Sequence, residues 1–245
     1  MAWREAAIPN RGRFRLLEFT GFSTPARAGG LNRLGFIREL SRTAETGATE
    51  SLYFCLMTAS PEETAEAARK ALHSAAKEAT YTAIDGRLAD GGVETVVAPF
   101  TAPAQWSVAN RNELIGLARM ALSAATPRPP DFPTRSTEMR PFLHALAETL
   151  HQPGPAETRF AYAGRLYHLW LEKSADSKAT ASFQKRGLIP ANSNAVRATG
   201  RLRREAGGKE STFRLWIEEG APRPLPLRIE YQAKSYLRLI FEADS

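Results

Sequence analysis

The last third of the chain alternates apolar and polar residues repeatedly, and a period of two commits it to antiparallel sheet. In "STFRLWIEE", Phe213, Leu215 and Ile217 fall on one face, with Thr212, Arg214, Trp216 and Glu218 on the other. In "YLRLIFEAD", Leu237, Leu239 and Phe241 face one way, and Tyr236, Arg238, Ile240 and Glu242 the other. The links are short and carry glycine: Gly164 within "TRFAYAGRLYHLWLEKS", and Gly207-Gly208 within "RATGRLRREAGGKESTFRLWIEEG". Links of that length join antiparallel hairpins, whereas parallel strands need a crossover of a dozen residues or more. "LPLRIEYQ" supplies a further strand, with Pro224 and Pro226 at its start, where a strand tolerates proline. No β-helix-β repeat is convincing, so a doubly wound α/β fold is not expected.

The first half mixes strands and helices. "RFRLLEFT" (Arg13 to Thr20) reads as a first strand, followed by the turn-rich loop "GFSTPARAGGLNRLG". "ESLYFCLMTA" is a compact apolar strand, with Leu56 and Met57 near its end. Ser60, Pro61 and Glu63 then suit a capped helix start, and "TAEAARKALHSAAKE" continues as an alanine-rich surface helix. In "ATYTAIDGRLADGGVETVVAPF", Tyr81 and Ala83 begin an alternating strand, and Asp85-Gly86 and Asp90-Gly91-Gly92 read as turns. Leu114, Leu117, Ala118, Ala121 and Leu122 give "SVANRNELIGLARMALSAA" helical spacing. The Pro-rich "TPRPPDFPTRS" is expected to be an exposed connection. A third helix follows, capped by Ser136 or delayed by Pro141, with Met139, Leu143, Leu146 and Leu150 on one face.

These readings predict an α+β fold of antiparallel β-sheet with about three helices. We expect one β-rich domain over residues 1–245. It divides into a looser N-terminal half (1–126), the Pro-rich connection (127–135) and C-terminal antiparallel strands (136–245).

Catalytic chemistry finds little footing. There is one cysteine, Cys55, which excludes an intrachain disulfide and a Cys-based metal site. It reads as a small buried apolar residue. His73, His144, His151 and His168 show no metal-binding spacing. No Gly-x-Ser-x-Gly elbow, phosphate loop or dinucleotide signature occurs. The paired carboxylates Glu62-Glu63 and Glu218-Glu219 sit at element ends, where solvation and capping explain them. The sequence therefore predicts no enzyme, no metal and no cofactor. No apolar run reaches signal-peptide or membrane-span length, so the chain as written is expected in the cytoplasm.

The net charge of +7 and the pI of about 9.8 favour anionic partners. Arg201, Arg203, Arg214, Arg228 and Arg238 all fall on predicted C-terminal strands. If register puts them on one face with Trp216 and Tyr236, that face is a candidate ligand-binding surface. It would suit a lipid head group, another anion or single-stranded nucleic acid. The plainer reading is a solvent face whose arginines pair with Glu205, Glu218, Glu230 and Glu242, and that reading is favoured. Trp170, Tyr162 and Phe160 read as core.

From residue 136 to residue 244 the chain resembles a family of uncharacterised, mostly exported bacterial domains of unknown function. The shared features run in order: a short helix ("PFLHALAETL"), a hairpin ("TRFAYAGRLYHLWLEK"), a Trp strand ("FRLWIEEG"), a Leu-Pro-Leu-Arg-Ile strand ("LPLRIEY") and a closing strand ("YLRLIFEA"). The resemblance implies that the sheet is a curved antiparallel β-sheet or half-barrel with the helices packed against it, somewhat like the half-barrels that carry lipids or lipoproteins across the bacterial envelope. It implies a periplasmic or envelope location, and it supplies no catalytic residues. Two function readings follow. The first is a non-catalytic envelope-type domain that binds an apolar or amphipathic ligand, or a protein partner, on its concave side. The alternative is a cytosolic basic protein that binds nucleic acid through the arginine-bearing face.

Overall fold

In a computed structural model, the structure describes residues 2–8, 12–22, 34–43, 49–58, 66, 78–89, 92–103, 111–132, 139–234 and 237–243. The described elements are β1 (Ala2–Ile8), β2 (Gly12–Phe22), β3 (Leu34–Thr43), β4 (Thr49–Thr58), β5 (Glu78–Ala89), β6 (Gly92–Pro103), α1 (Arg111–Ser123) and β7 (Pro127–Arg128). Then come α2 (Phe142–His151), β8 (Ala156–Tyr162), β9 (Arg165–Ala175), α3 (Ser177–Lys185), β10 (Ala195–Arg204), β11 (Ser211–Glu218), β12 (Arg228–Lys234) and β13 (Leu237–Glu242). The chain is α+β, as the alternation requires. It forms not one sheet but two, each an open antiparallel meander in chain order. The first holds β1 to β7 and the second β8 to β13.

Several sequence expectations need revision. β1 and β3 carry too mixed a pattern to stand out, and both are strands by pairing on either side of β2. Asp85-Gly86 is no turn: β5 continues through it, paired with Tyr53 and Phe54 of β4. Glycine is needed at position 86 for a packing reason. A Cβ there would lie 2.0 Å from the Tyr53 ring, which lies across the strand. The Tyr53 hydroxyl is then 2.9 Å from Thr95 Oγ1 on β6. Gly200 serves Phe213 in the same way, with a Cβ-to-ring distance of 2.1 Å. The expected connection at 127–135 contributes β7, whose two residues pair with Thr95 and Val96. α3 was not expected; Asp176 caps it by accepting the Ala179 N–H at 3.0 Å. The ends of the loop expected at 21–35 are strand, Gly21 and Phe22 in β2 and Leu34 and Gly35 in β3, and its remainder lies outside the described residues, as does the helix expected after Pro61, although Glu66 is helical.

The Ala163-Gly164 link is a two-residue turn. Both residues have positive φ, 53° and 73°, the backbone that a two-residue hairpin of right-handed twist demands. It joins β8 and β9 at the pair Tyr162↔Arg165.

α2 is the element both sheets share. Leu143 and Ala147 pack on Leu17, Phe19 and Ile37 of the first sheet. Ala145, Leu146 and Leu150 pack on Phe160, Leu169, Leu171 and Leu215 of the second. The expected single apolar stripe is thus widened into two apolar faces, one for each sheet, with Glu148 left exposed. Met139 lies just before the helix, in the cluster with Tyr53 and Cys55.

Such a helix must satisfy its terminal N–H and C=O groups without water. Pro141 occupies the N-cap position and provides no side-chain cap. Glu39, fully buried on β3, does so from the first sheet. Its carboxylate accepts the Leu143 N–H at 2.8 Å and the His144 N–H at 3.0 Å, and lies 3.0 Å from His144 Nδ1. At the other end, Lys173 of β9 donates to the Leu150 carbonyl at 2.6 Å and to that of Gln152. A negative group therefore meets the positive helix end, and a positive group the negative end.

Replacing Glu39 by Ala strands two buried N–H donors, and we expect it to lower unfolding free energy by about 3 kcal/mol. Glu39→Gln keeps one acceptor oxygen and should lose roughly half as much. Urea unfolding followed by circular dichroism measures both. Equal stability of wild type and Glu39→Ala would remove this role.

Candidate functional site

The resemblance placed a ligand on the concave side of the sheet; the face of the first sheet that meets the second is full. α2 occupies it at β2 and β3, and the β8–β9 tip occupies it at β4 to β6. There Ala161, Tyr162 and Leu166 meet Tyr53, Cys55, Ile84 and Leu88. Tyr53 and Tyr162 stack with centroids 6.2 Å apart. The Tyr162 hydroxyl donates to Cys55 Sγ at 2.9 Å. Burial pushes the Cys55 thiol up to about 12, more than the Tyr162 hydrogen bond can offset. Burial likewise raises the Tyr162 hydroxyl well above its ordinary range. The pair is packing, with no nucleophile in it.

The recess lies on the opposite face of the first sheet. α1 lays Leu114, Ile115, Ala118 and Leu122 against Phe36, Leu56, Ala83 and Ala98. It leaves a half-open groove of about 510 Å³ beside it. Leu40, Leu52, Phe54 and Val96 form its strand side, and Ile115 and Leu122 its helix side. Arg38, Asp85, Arg119 and Ser123 provide its polar atoms. Arg38 is already neutralised: its Nε and Nη2 donate to Glu18 at 2.9 and 2.7 Å. Its guanidinium lies 5.3 Å from the Phe36 centroid, so it acts as wall. Arg119 is exposed and makes no ion pair within 4.0 Å among the described residues. The Asp85 carboxyl sits above the ordinary carboxylate range, because the groove strips water from it. The Gly86 N–H and the Arg119 charge pull the other way.

The second sheet settles the register on which the arginine reading depended. Arg201 opposes Thr212 and Trp170, and Arg203 opposes His168. Arg214 opposes Thr199 and Glu230, Arg228 opposes Trp216 and Glu242, and Arg238 opposes Gln232. All five positions therefore belong to one face, which we term the arginine face. Tyr236 lies outside the described residues.

That face divides into two parts. Around Trp216 it is structural. The indole is buried beneath Phe183, Ile189 and Leu227, and its N–H donates to Asp176 at 2.9 Å. This hydrogen bond, more than the Ala179 N–H, holds the Asp176 carboxyl below its usual range. Arg228 stacks over Trp216 at 5.4 Å and pairs with Glu230 at 2.6 Å and Glu242 at 3.3 Å. This half follows the plainer expectation in part: Arg228–Glu242 is a cross-strand pair, whereas Glu230 lies two residues along the same strand as Arg228. Glu205 pairs instead with His168, at 3.5 Å, and Glu218 accepts from Ser193 at 2.7 Å.

The other half is open. Arg201, Arg203 and Arg214 are exposed. Trp170, expected in the core with Phe160, is half-buried on this face instead, because its register opposite Glu157 and Arg201 turns it outward. Its N–H donates to Glu157 at 2.9 Å. His168 stacks on it, with centroids 5.3 Å apart. Sequence reading passed over Arg159 and His168 as members of this group. The signal was the register Arg159↔His168↔Arg203, which follows once the Ala163-Gly164 turn is placed.

Among the described residues no cluster of three or more His, Cys, Asp or Glu could hold a metal ion. No helix among them is long and apolar enough to cross a membrane. No family model, curated protein or solved structure matches the chain.

The Cys55 thiol is buried and protonated far above physiological pH. Native protein should therefore react with a thiol reagent at pH 8 only as fast as it unfolds, and at once in denaturant. Rapid labelling of folded protein would contradict the packing described.

Proposed function

We propose that this chain is a non-catalytic binding domain whose α1 groove takes an amphipathic molecule with one apolar chain and an anionic head. The observation that carries this reading is the groove itself, an apolar recess whose volume of about 510 Å³ suits a small ligand. Leu40, Leu52, Phe54, Val96, Ile115 and Leu122 offer the apolar chain a lining. Arg119 offers the head a guanidinium at the rim that makes no ion pair among the described residues, while the Ser123 hydroxyl is already committed to the Met120 carbonyl at 2.8 Å. The resemblance to envelope domains agrees with such a cargo and favours an envelope location.

A fluorescent long-chain fatty acid tests it. We expect saturable uptake, about 10-fold weaker in Val96→Trp, which fills the recess. Arg119→Glu should weaken the fatty acid by a similar factor and leave the uncharged alcohol of the same length unchanged. No uptake by the wild type, or equal uptake by Val96→Trp, would remove the reading.

A further inference from the structure

We infer that the open half of the arginine face is a docking surface for single-stranded nucleic acid. The patch consists of Arg159, His168, Trp170, Arg201, Arg203 and Arg214. It crosses four adjacent strands, β8 to β11, roughly 14 Å of sheet at the usual strand spacing.

The first support is charge without an internal partner. Arg159, Arg203 and Arg214 make no ion pair within 4.0 Å among the described residues, and Arg201 makes only a 4.0 Å approach to Glu172. On the same sheet, Arg228 is paired with two carboxylates, so free guanidinium groups are not a general property of this fold. The second support is the aromatic group at the centre. Arg201 and Arg203 lie over Trp170 at 5.8 and 5.7 Å, and His168 stacks beside it with an interplanar angle of 15°. Rings and guanidinium planes standing together on an open sheet are what unpaired bases stack on, while neighbouring arginines take phosphates.

An anionic membrane is the competing partner for a basic face, but it gains from apolar groups that insert between lipids. The patch has none. The exposed apolar residue of the arginine face, Ile240, sits on β13, beyond the half that Arg228 and its carboxylates neutralise. The patch is also separate from the α1 groove, which belongs to the other sheet.

The test is fluorescence anisotropy with a labelled oligothymidylate of about 15 nucleotides, at salt from about 50 to 200 mM. We expect binding at the low end, with a log–log salt slope of about −2 to −3 if Arg159, Arg201, Arg203 and Arg214 each meet a phosphate. Arg201→Gln with Arg203→Gln should make the slope shallower by roughly one unit or more. Trp170→Ala should weaken binding by about 10-fold while leaving the slope unchanged, which separates stacking from charge. Arg203→Lys keeps the charge and should recover the slope but not the full affinity. Arg13→Gln, on the first sheet, should change nothing. Circular dichroism confirms that each variant is folded. Three results would overturn the inference: no binding at about 50 mM salt, a slope indifferent to the double substitution, or binding to anionic vesicles without binding to the oligonucleotide.

Discussion

A helix packed between two sheets must find partners for the polar groups at its ends, and this architecture turns on how α2 finds them. Its N-terminus takes a carboxylate from the first sheet, Glu39, and its C-terminus an ammonium from the second, Lys173. Each contact satisfies orphan backbone groups and complements the helix dipole. Each also ties α2 to a different sheet. Apolar packing alone would let the helix slide or turn, since Leu, Ala and Phe contacts are interchangeable over small shifts. Directional bonds at both ends fix its depth and its angle.

Fixing α2 has a consequence for function. The space between the sheets, where a half-barrel would carry its ligand, is filled by α2 and by the β8–β9 tip with Tyr162 against Tyr53 and Cys55. On the proposed reading, binding falls to the two faces pointing away from α2. One carries the α1 groove. The other carries the arginine face, part of which is closed by α3 and by the carboxylates of Asp176, Glu230 and Glu242, and part of which is open. The two candidate surfaces differ in chemistry because the residues left over differ: Leu, Val and Ile beside α1, and Arg, Trp and His on β8 to β11.

Much of this fold is legible in the sequence, and the rest is hidden for identifiable reasons. β8 to β13 are readable because alternation and glycine turns agree over the whole segment. β3 is not, since "FIRELSRT" carries a glutamate at a position that faces inward. Its reason for being there is α2, over 100 residues away in sequence. Gly86 invites a turn assignment because Asp-Gly is a strong local signal, yet the Tyr53 ring from the neighbouring strand is what excludes a side chain. The five arginines were visible, but whether they share a face is a property of register. Register also exposes Trp170 and buries Trp216, the reverse of what their surroundings in sequence suggest.

The claim at the centre of this account is that α2 closes the space between the sheets, so that an amphipathic ligand must bind outside it. Anomalous diffraction from crystals grown with a brominated fatty acid locates that ligand directly. The account predicts a bromine peak between α1 and strands β3 to β6, beside Leu52, Phe54 and Val96, with Glu39 still bonded to the N-terminus of α2. A peak between the two sheets, with α2 displaced from Glu39, would contradict it.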